Sequence, residues 1–489
     1  MSGTSSAACR LPTRTLAEAG SAVSPPRRLK VVRIRVRRTL PFLVAILALA
    51  AALRLVGIEY GLPFGNLLNP DEQNIVPRAW EMVHGGGLDP HWFDYPSLLL
   101  YVLAPFQAWQ DEPSYLTARL VIAAFGVGGV AAAWWLGRAA YGRAAGLVAA
   151  VVVSVETIGV AYSHAAVTDV PMTALITVAL ALAVTGRLEW AGVAAGLAAS
   201  AKYPAVFLLV PLLVAGWGLW RRLAISVGLA ILAFLATSPF VLVHPRQAWS
   251  DASRVQRLAR DGWLGFEHDS WALFSFTGKL WSGLGPVLVI AVLGLVLALR
   301  RHTRTDLILA AFVLVYLADL LTIRAHFDRY VLPLVPPLAV LAGRVRALAP
   351  VTVGLAIVPL VWAIGDDVRL TRTDTRAVAH SWIVRHVPRD AAVAAESSTP
   401  ALDGYRVVGL ALPGPGRPFD PDRDVGRLRA EGVRYVLVTG AVADRVLAAR
   451  DRYPREARFY DQLRMQGKRV YHVRAGHGLT GPWVSVYRL

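Results

Sequence analysis

Apolar residues in this 489-residue chain fall in long blocks, with little alternation until the C-terminal quarter. A bilayer core needs roughly 20 apolar residues per helix. That ruler predicts spans near 41–59, 117–137, 144–161, 171–186, 190–202, 204–220, 223–243, 281–299, 306–323, 330–345 and 349–364. The run 96–110 is shorter, contains Pro105 and is followed by Asp111 and Glu112, so it is predicted to lie in the interface or to re-enter. Beyond Arg369 the period changes. RAVAHSWIVRHV and DVGRLRAEG read as helices, and AAVAAES, VRYVLVTG, KRVYHV and WVSVYRL read as strands. The expected fold class is an α-helical polytopic membrane protein of about 11 transmembrane helices with a small C-terminal α/β domain.

Composition agrees, because 55% hydrophobic and 17% charged residues is not the balance of a water-soluble globule. The formal net charge of +18 raises nucleic-acid binding, but the arginines sit in the N-terminal stretch, in short loops and in the C-terminal segment. Arg138 with Arg143, Arg187, Arg221 with Arg222, Arg300 with Arg301 and Arg304, and Arg344 with Arg346 all fall on one side of the layout. Basic loops beside spans mark a cytoplasmic face. No nucleic-acid partner is expected, and the alternate loops are extracytoplasmic. The predicted division is a disordered basic cytoplasmic tail over 1–40, a spanning domain over 41–366, and an extracytoplasmic α/β domain over 367–489. Within the spanning domain, the first outer loop covers 60–116 and a long loop covers 244–280. The apolar run after Arg27-Arg28 lacks a small-residue cleavage site and is read as an anchor, giving a multi-pass protein of the inner (plasma) membrane. Cys9 is the only cysteine, so no internal disulfide forms.

Chemistry concentrates in the first outer loop, where Asp71 and Glu72 precede a Gly/Pro-marked, aromatic segment with His84, Asp89, His91, Asp94 and Tyr95. Capping of the following helix would explain an Asp-Glu pair. A carboxylate held against apolar walls can instead serve as a general base. Asp169 precedes Pro171 at the start of another span and emerges on the same face, so its capping role competes with membership of a shared cavity. Lys202, Arg119 and Arg329 reach the outer interface, where snorkelling is one explanation and stabilising a departing phosphate another. The histidines and aspartates of the first loop could take a divalent metal, but their spacing fits no standard zinc pattern. No metal and no other cofactor is expected to be required.

The succession PDEQ, RAWEM, GG, FDYPSLLLYVLAPF, TARL, SHAAVTDVPM, ASAKYPAVFLLVPLL and RYVLPLVPPLAVLAG spans about residues 40–350. In order and spacing it resembles the bacterial glycosyltransferases of the GT-C class. Within that class it is similar to the protein mannosyltransferases and lipid A aminoarabinose transferases, grouped as glycosyltransferase family 39 or its ArnT-like relatives. The resemblance implies a GT-C-like bundle that passes a sugar from a polyprenyl-phosphate donor to an extracytoplasmic glycolipid, polysaccharide or protein acceptor. It implies catalytic roles for Asp71, Glu72 and Asp169, and a donor-phosphate site of Lys202, Arg119, Arg329 and Tyr203. The substrate pocket would include Asp94, Tyr95, His164 and Tyr330. Tyr95-Pro96-Ser97 replaces the double proline common in relatives, and the C-terminal domain matches no assignable pattern. The alternative of a transporter or flippase of lipid-linked glycan would call for paired half-sequences, and none is evident.

Overall fold

The computed structural model describes the chain from residue 28 to residue 489, with side chains from residue 40. The first 27 residues of the expected tail lie outside the described residues. From Arg28 the chain is already helical, and one helix, Arg28–Leu55, carries both the basic cluster and the first apolar run. Ala45–Leu489 form one compact unit.

The remaining apolar blocks fold as helices, many of them broken. The block 144–161 becomes Arg143–Val155 and Thr157–Tyr162, interrupted at Glu156, whose carboxylate accepts from the Gly159 amide at 2.7 Å. The block 204–220 opens as a 3₁₀ turn, Tyr203–Leu208, before Leu209–Gly216, and the block 330–345 opens likewise as Asp328–Leu334 before Val335–Arg344. Helices Ala272–Leu284 and Val287–Arg301 meet at 115° around Gly285 and Pro286. Among the described residues, three continuous helical stretches are long and apolar enough to cross a membrane: Tyr115–Tyr141, Trp220–Thr237 and Arg346–Leu370. Counting the bent pair as one span makes four. Eleven uninterrupted spans are therefore not what the structure contains, because proline, glycine and buried polar residues divide several blocks. The run 96–110 supplies helix Leu98–Gln107, which rises only about 15 Å.

Small residues let the helices approach. A Cβ on Gly192 would lie 2.0 Å from the Ser226 carbonyl oxygen, and one on Gly196 would lie 2.1 Å from that of Ala230. The GVAAG stretch thus brings helix Leu188–Ala201 into backbone contact with Trp220–Thr237, the close packing that small-xxx-small patterns permit.

The C-terminal segment forms two sheets. In the larger one the order is β3-β2-β4-β7-β5, with β1 Thr373–Asp374, β2 Ala392–Glu396, β3 Arg406–Leu410, β4 Val433–Thr439, β5 Lys468–Val473, β6 Leu479–Thr480 and β7 Val484–Arg488. Strands β3, β2 and β4 run parallel, and β7 and β5 complete the sheet antiparallel. β1 pairs only with β6. Ala392 and Ala394 join one core, and Val393 and Ala395 the other, as strand alternation requires. The first core is covered by helices Gly440–Ala448 and Pro454–Gln466, and the second by Thr375–His386.

Candidate active site

Asp71 stands at the N-cap position of helix Glu72–Glu81 but makes no capping hydrogen bond. Its Oδ2 instead accepts from Arg329 Nη1 at 2.6 Å and from the Tyr95 hydroxyl at 3.0 Å. Burial pushes this carboxyl up, but the charges of Arg329 and then Lys202 outweigh burial, so Asp71 is held below the usual carboxylate range. Asp169 is the first residue of helix Asp169–Val184, after Thr168 at the N-cap position, whose side chain makes no capping hydrogen bond. Its Oδ1 accepts from Lys202 Nζ at 2.7 Å, and its buried Oδ2 has no hydrogen-bond partner among the described residues. Lys202 closes helix Leu188–Ala201 and lies 5.4 Å from the Tyr95 ring centre and 5.5 Å from that of Tyr330. Arg329 Nε is also buried and without a hydrogen-bond partner among the described residues. Capping therefore does not account for either carboxylate.

Two cavities meet at these residues. The larger, about 630 Å³, is lined by Asp71, Arg329, Arg254 and Trp263 from the bundle and its loops, and by Arg417 and Arg445 of the C-terminal domain. The smaller, about 270 Å³, is lined by Asp169, Lys202 and Tyr203 together with apolar residues including Phe207 and Trp249. Asp94, Tyr95 and Tyr330 border both. Each cavity therefore has its own carboxylate–cation pair, and Tyr95 and Tyr330 lie where the two cavities adjoin. Asp94 accepts from Arg254 Nη2 at 2.5 Å, and burial raises its carboxyl despite that partner. The Tyr203 hydroxyl donates to the Phe93 carbonyl at 3.0 Å, which fixes the ring at the smaller cavity.

Three sequence-expected residues lie elsewhere. Arg119 and Glu72 form a fully buried pair, with Nε and Nη2 of the guanidinium donating to the two carboxylate oxygens at 2.8 and 2.7 Å. Arg119 Nη1 also donates to the carbonyls of Ile58 and Tyr60, both at 2.8 Å, and the Ala166 amide donates to Glu72 at 2.8 Å. Held by these partners, Arg119 and Glu72 line neither cavity. Both belong to the scaffold that ties the first loop to the bundle. His164 is likewise buried, between the Val160 and Val56 carbonyls at 2.9 Å each, and lines neither cavity.

The sequence reading missed the second wall. Helix Pro245–Asp261 sends Trp249, Ala252, Ser253 and Gln256 toward the smaller cavity and Arg254 and Leu258 toward the larger. The i, i+3, i+4, i+7 spacing of the first set was the available signal. Arg417 and Arg445 had none, since only the fold brings the C-terminal domain to the cavity.

Comparisons with known proteins bear directly on this arrangement. Residues 92–323, just under half of the chain, match the family Glycosyltransferase family 87. In structure the chain is similar to ArnT from Cupriavidus metallidurans in the apo state, at 15% identity and a TM-score of 0.57 over 93% of this chain and 98% of that one. The same enzyme bound to undecaprenyl phosphate gives 15% identity and 0.56 over 91% and 97%. The archaeal oligosaccharyltransferase AglB from Archaeoglobus fulgidus, in complex with an inhibitory peptide and a dolichol-phosphate, gives 12% identity and 0.51 over 82% and 69%. No curated protein sequence matches. The chain thus shares its fold with ArnT and AglB, and its residues 92–323 match a glycosyltransferase family. Its matching family is 87, so the finer resemblance to family 39 gains no support, and neither does the transporter alternative.

Proposed function

We propose that this enzyme moves a sugar from a polyprenyl-phosphate donor to an extracytoplasmic acceptor by one inverting displacement. The observation that carries the reading is the pairing of two carboxylates with two cations across adjoining cavities. The smaller, apolar cavity suits the first isoprene units, with the phosphate where the two cavities adjoin, between Lys202 and Arg329, and the larger, charge-lined cavity suits the acceptor. That ArnT of similar fold has been solved with undecaprenyl phosphate supports the donor class. The acceptor hydroxyl or amine gives its proton to Asp71, its heteroatom bonds to the anomeric carbon, and the anomeric carbon–oxygen bond to phosphate breaks. The leaving phosphate's new charge is stabilised by Lys202 and Arg329. Phosphate is already a competent leaving group, so the transfer step requires no metal. When Arg329 turns toward the phosphate, Asp71 loses its strongest charge partner and becomes a better base.

The acceptor is a glycan, a lipid or a protein, and surrounding membrane lipid is the other partner. Eleven apolar segments crossing the plasma membrane, some of them as broken helices, with a cytoplasmic N-terminus and an outer C-terminal domain, fit the arginine-rich loops. Transfer of labelled sugar from a polyprenyl-phosphate donor by the purified enzyme tests the reading. Asp71→Asn is expected to lose about 10² to 10⁴ of the turnover. Full activity in that variant would remove Asp71 from the base role.

A further inference from the structure

We propose that Asp89, His91 and His244 form a binding site for one zinc-type divalent cation, which clasps the first outer loop to the helix that walls both cavities. The three side chains offer one ligand atom each, and those atoms lie within 4.8 Å of one another. His244 Nε2 is 2.7 Å from Asp89 Oδ2, and His91 Nδ1 is 3.6 Å from the same oxygen. Zinc bonds of roughly 2.0–2.2 Å in tetrahedral array set ligand atoms about 3.3 Å apart. The observed separations bracket that value, so small side-chain rotations suffice to close the site. Two imidazoles and one carboxylate are a donor set that zinc accepts, and the exposure of His91, at 69% of its side chain, leaves the fourth position to water.

The groups around the cluster orient it. The His91 amide donates to Asp89 Oδ1 at 3.0 Å, which turns the other oxygen toward the imidazoles. His91 takes a left-handed backbone, φ 46°, and its carbonyl accepts from Gln247 Nε2 at 2.8 Å. The His244 ring packs against those of His91 and Phe93 at 5.3 and 6.2 Å. Such partners fix ligand orientation in metal sites. Spacing along the first loop alone does not reveal this site, because His244 enters from the long loop.

The site lies at one end of a seam between loop and helix. Along that seam the Phe93 amide donates to Asp251 Oδ2 at 3.1 Å, and Arg254 reaches Asp94. The ion would act on position, pinning helix Pro245–Asp261, and takes no part in the transfer step.

The test uses the full-length protein in detergent with its affinity tag removed. After addition of Zn²⁺ and gel filtration, elemental analysis is expected to find one zinc per chain. Zn²⁺ should raise the melting temperature where Mg²⁺ does not, and Co²⁺ should give the visible absorption of a tetrahedral site. His91→Ala, which removes an exposed side chain, should keep the metal-free melting temperature yet lose the zinc-dependent rise. His91→Ala/His244→Ala should bind none. Wild-type protein free of zinc after loading would overturn the proposal, as would undiminished zinc in the double variant. Metal content and melting are read without donor or acceptor, so the result stands apart from the proposed reaction.

Discussion

Replacing Arg119 by methionine separates scaffold from substrate site. In the native protein Arg119 makes four hydrogen bonds, two to Glu72 and one each to the Ile58 and Tyr60 carbonyls, with no solvent access at either charged side chain. Methionine leaves a buried carboxylate whose remaining contact is the Ala166 amide. Removing one partner of such a pair costs about 3–5 kcal/mol, because the other charge stays desolvated and uncompensated. Arg119→Met should therefore melt far below wild type, or fail to give a monodisperse peak in detergent. Glu72→Leu/Arg119→Met replaces both charges by apolar groups and should recover much of the loss. The two orphaned carbonyls and the Ala166 amide keep it short of full recovery, at about 1–3 kcal/mol. Fluorescence-detected gel filtration after a temperature series reads all three proteins. If Arg119→Met melted with the wild type while donor affinity fell, the scaffold assignment would be wrong and Arg119 would return to the phosphate site.

Other outcomes follow from the same geometry. Asp71 acts as a base only when ionised and its carboxyl is held low, so kcat/KM should persist below the pH at which an ordinary carboxylate protonates and fall only through the lowered value. Arg329→Gln removes the largest lowering influence and leaves burial, so the acid limb should move to higher pH; an unmoved limb would separate Arg329 from Asp71. Lys202→Met should orphan the buried Asp169 carboxylate and weaken donor use, read as a fall in kcat/KM for the donor with the acceptor saturating. Among the described residues neither Arg417 nor Arg445 forms a close ion pair: Arg417 lies 4.3 Å from the Trp263 ring centre, and Arg445 feels the charge of Glu267 only at longer range. Arg417→Ala/Arg445→Ala should raise the KM of an anionic acceptor several-fold and leave that of the donor unchanged, a split measured by varying each substrate in turn.

The sequence by itself determined the classes of element. Block-wise apolarity dictated helices, since no backbone group can go unpaired in lipid. The change of period after Arg369 dictated strands and helices, and each of the runs named there forms its expected element. Asp71, Asp169, Lys202 and Arg329 were also legible, because charge beside a span is costly and stands out against an apolar background. Tertiary structure alone decided which charge answers which. Glu72 adjoins Asp71 in sequence, yet successive residues at a helix start point apart, and Glu72 turns inward to Arg119 while Asp71 faces the cavity. His164, expected in the substrate pocket, is held instead between two backbone carbonyls. Arg254, Arg417, Arg445 and His244 came into play only through contacts between segments far apart in the chain, which no local period encodes.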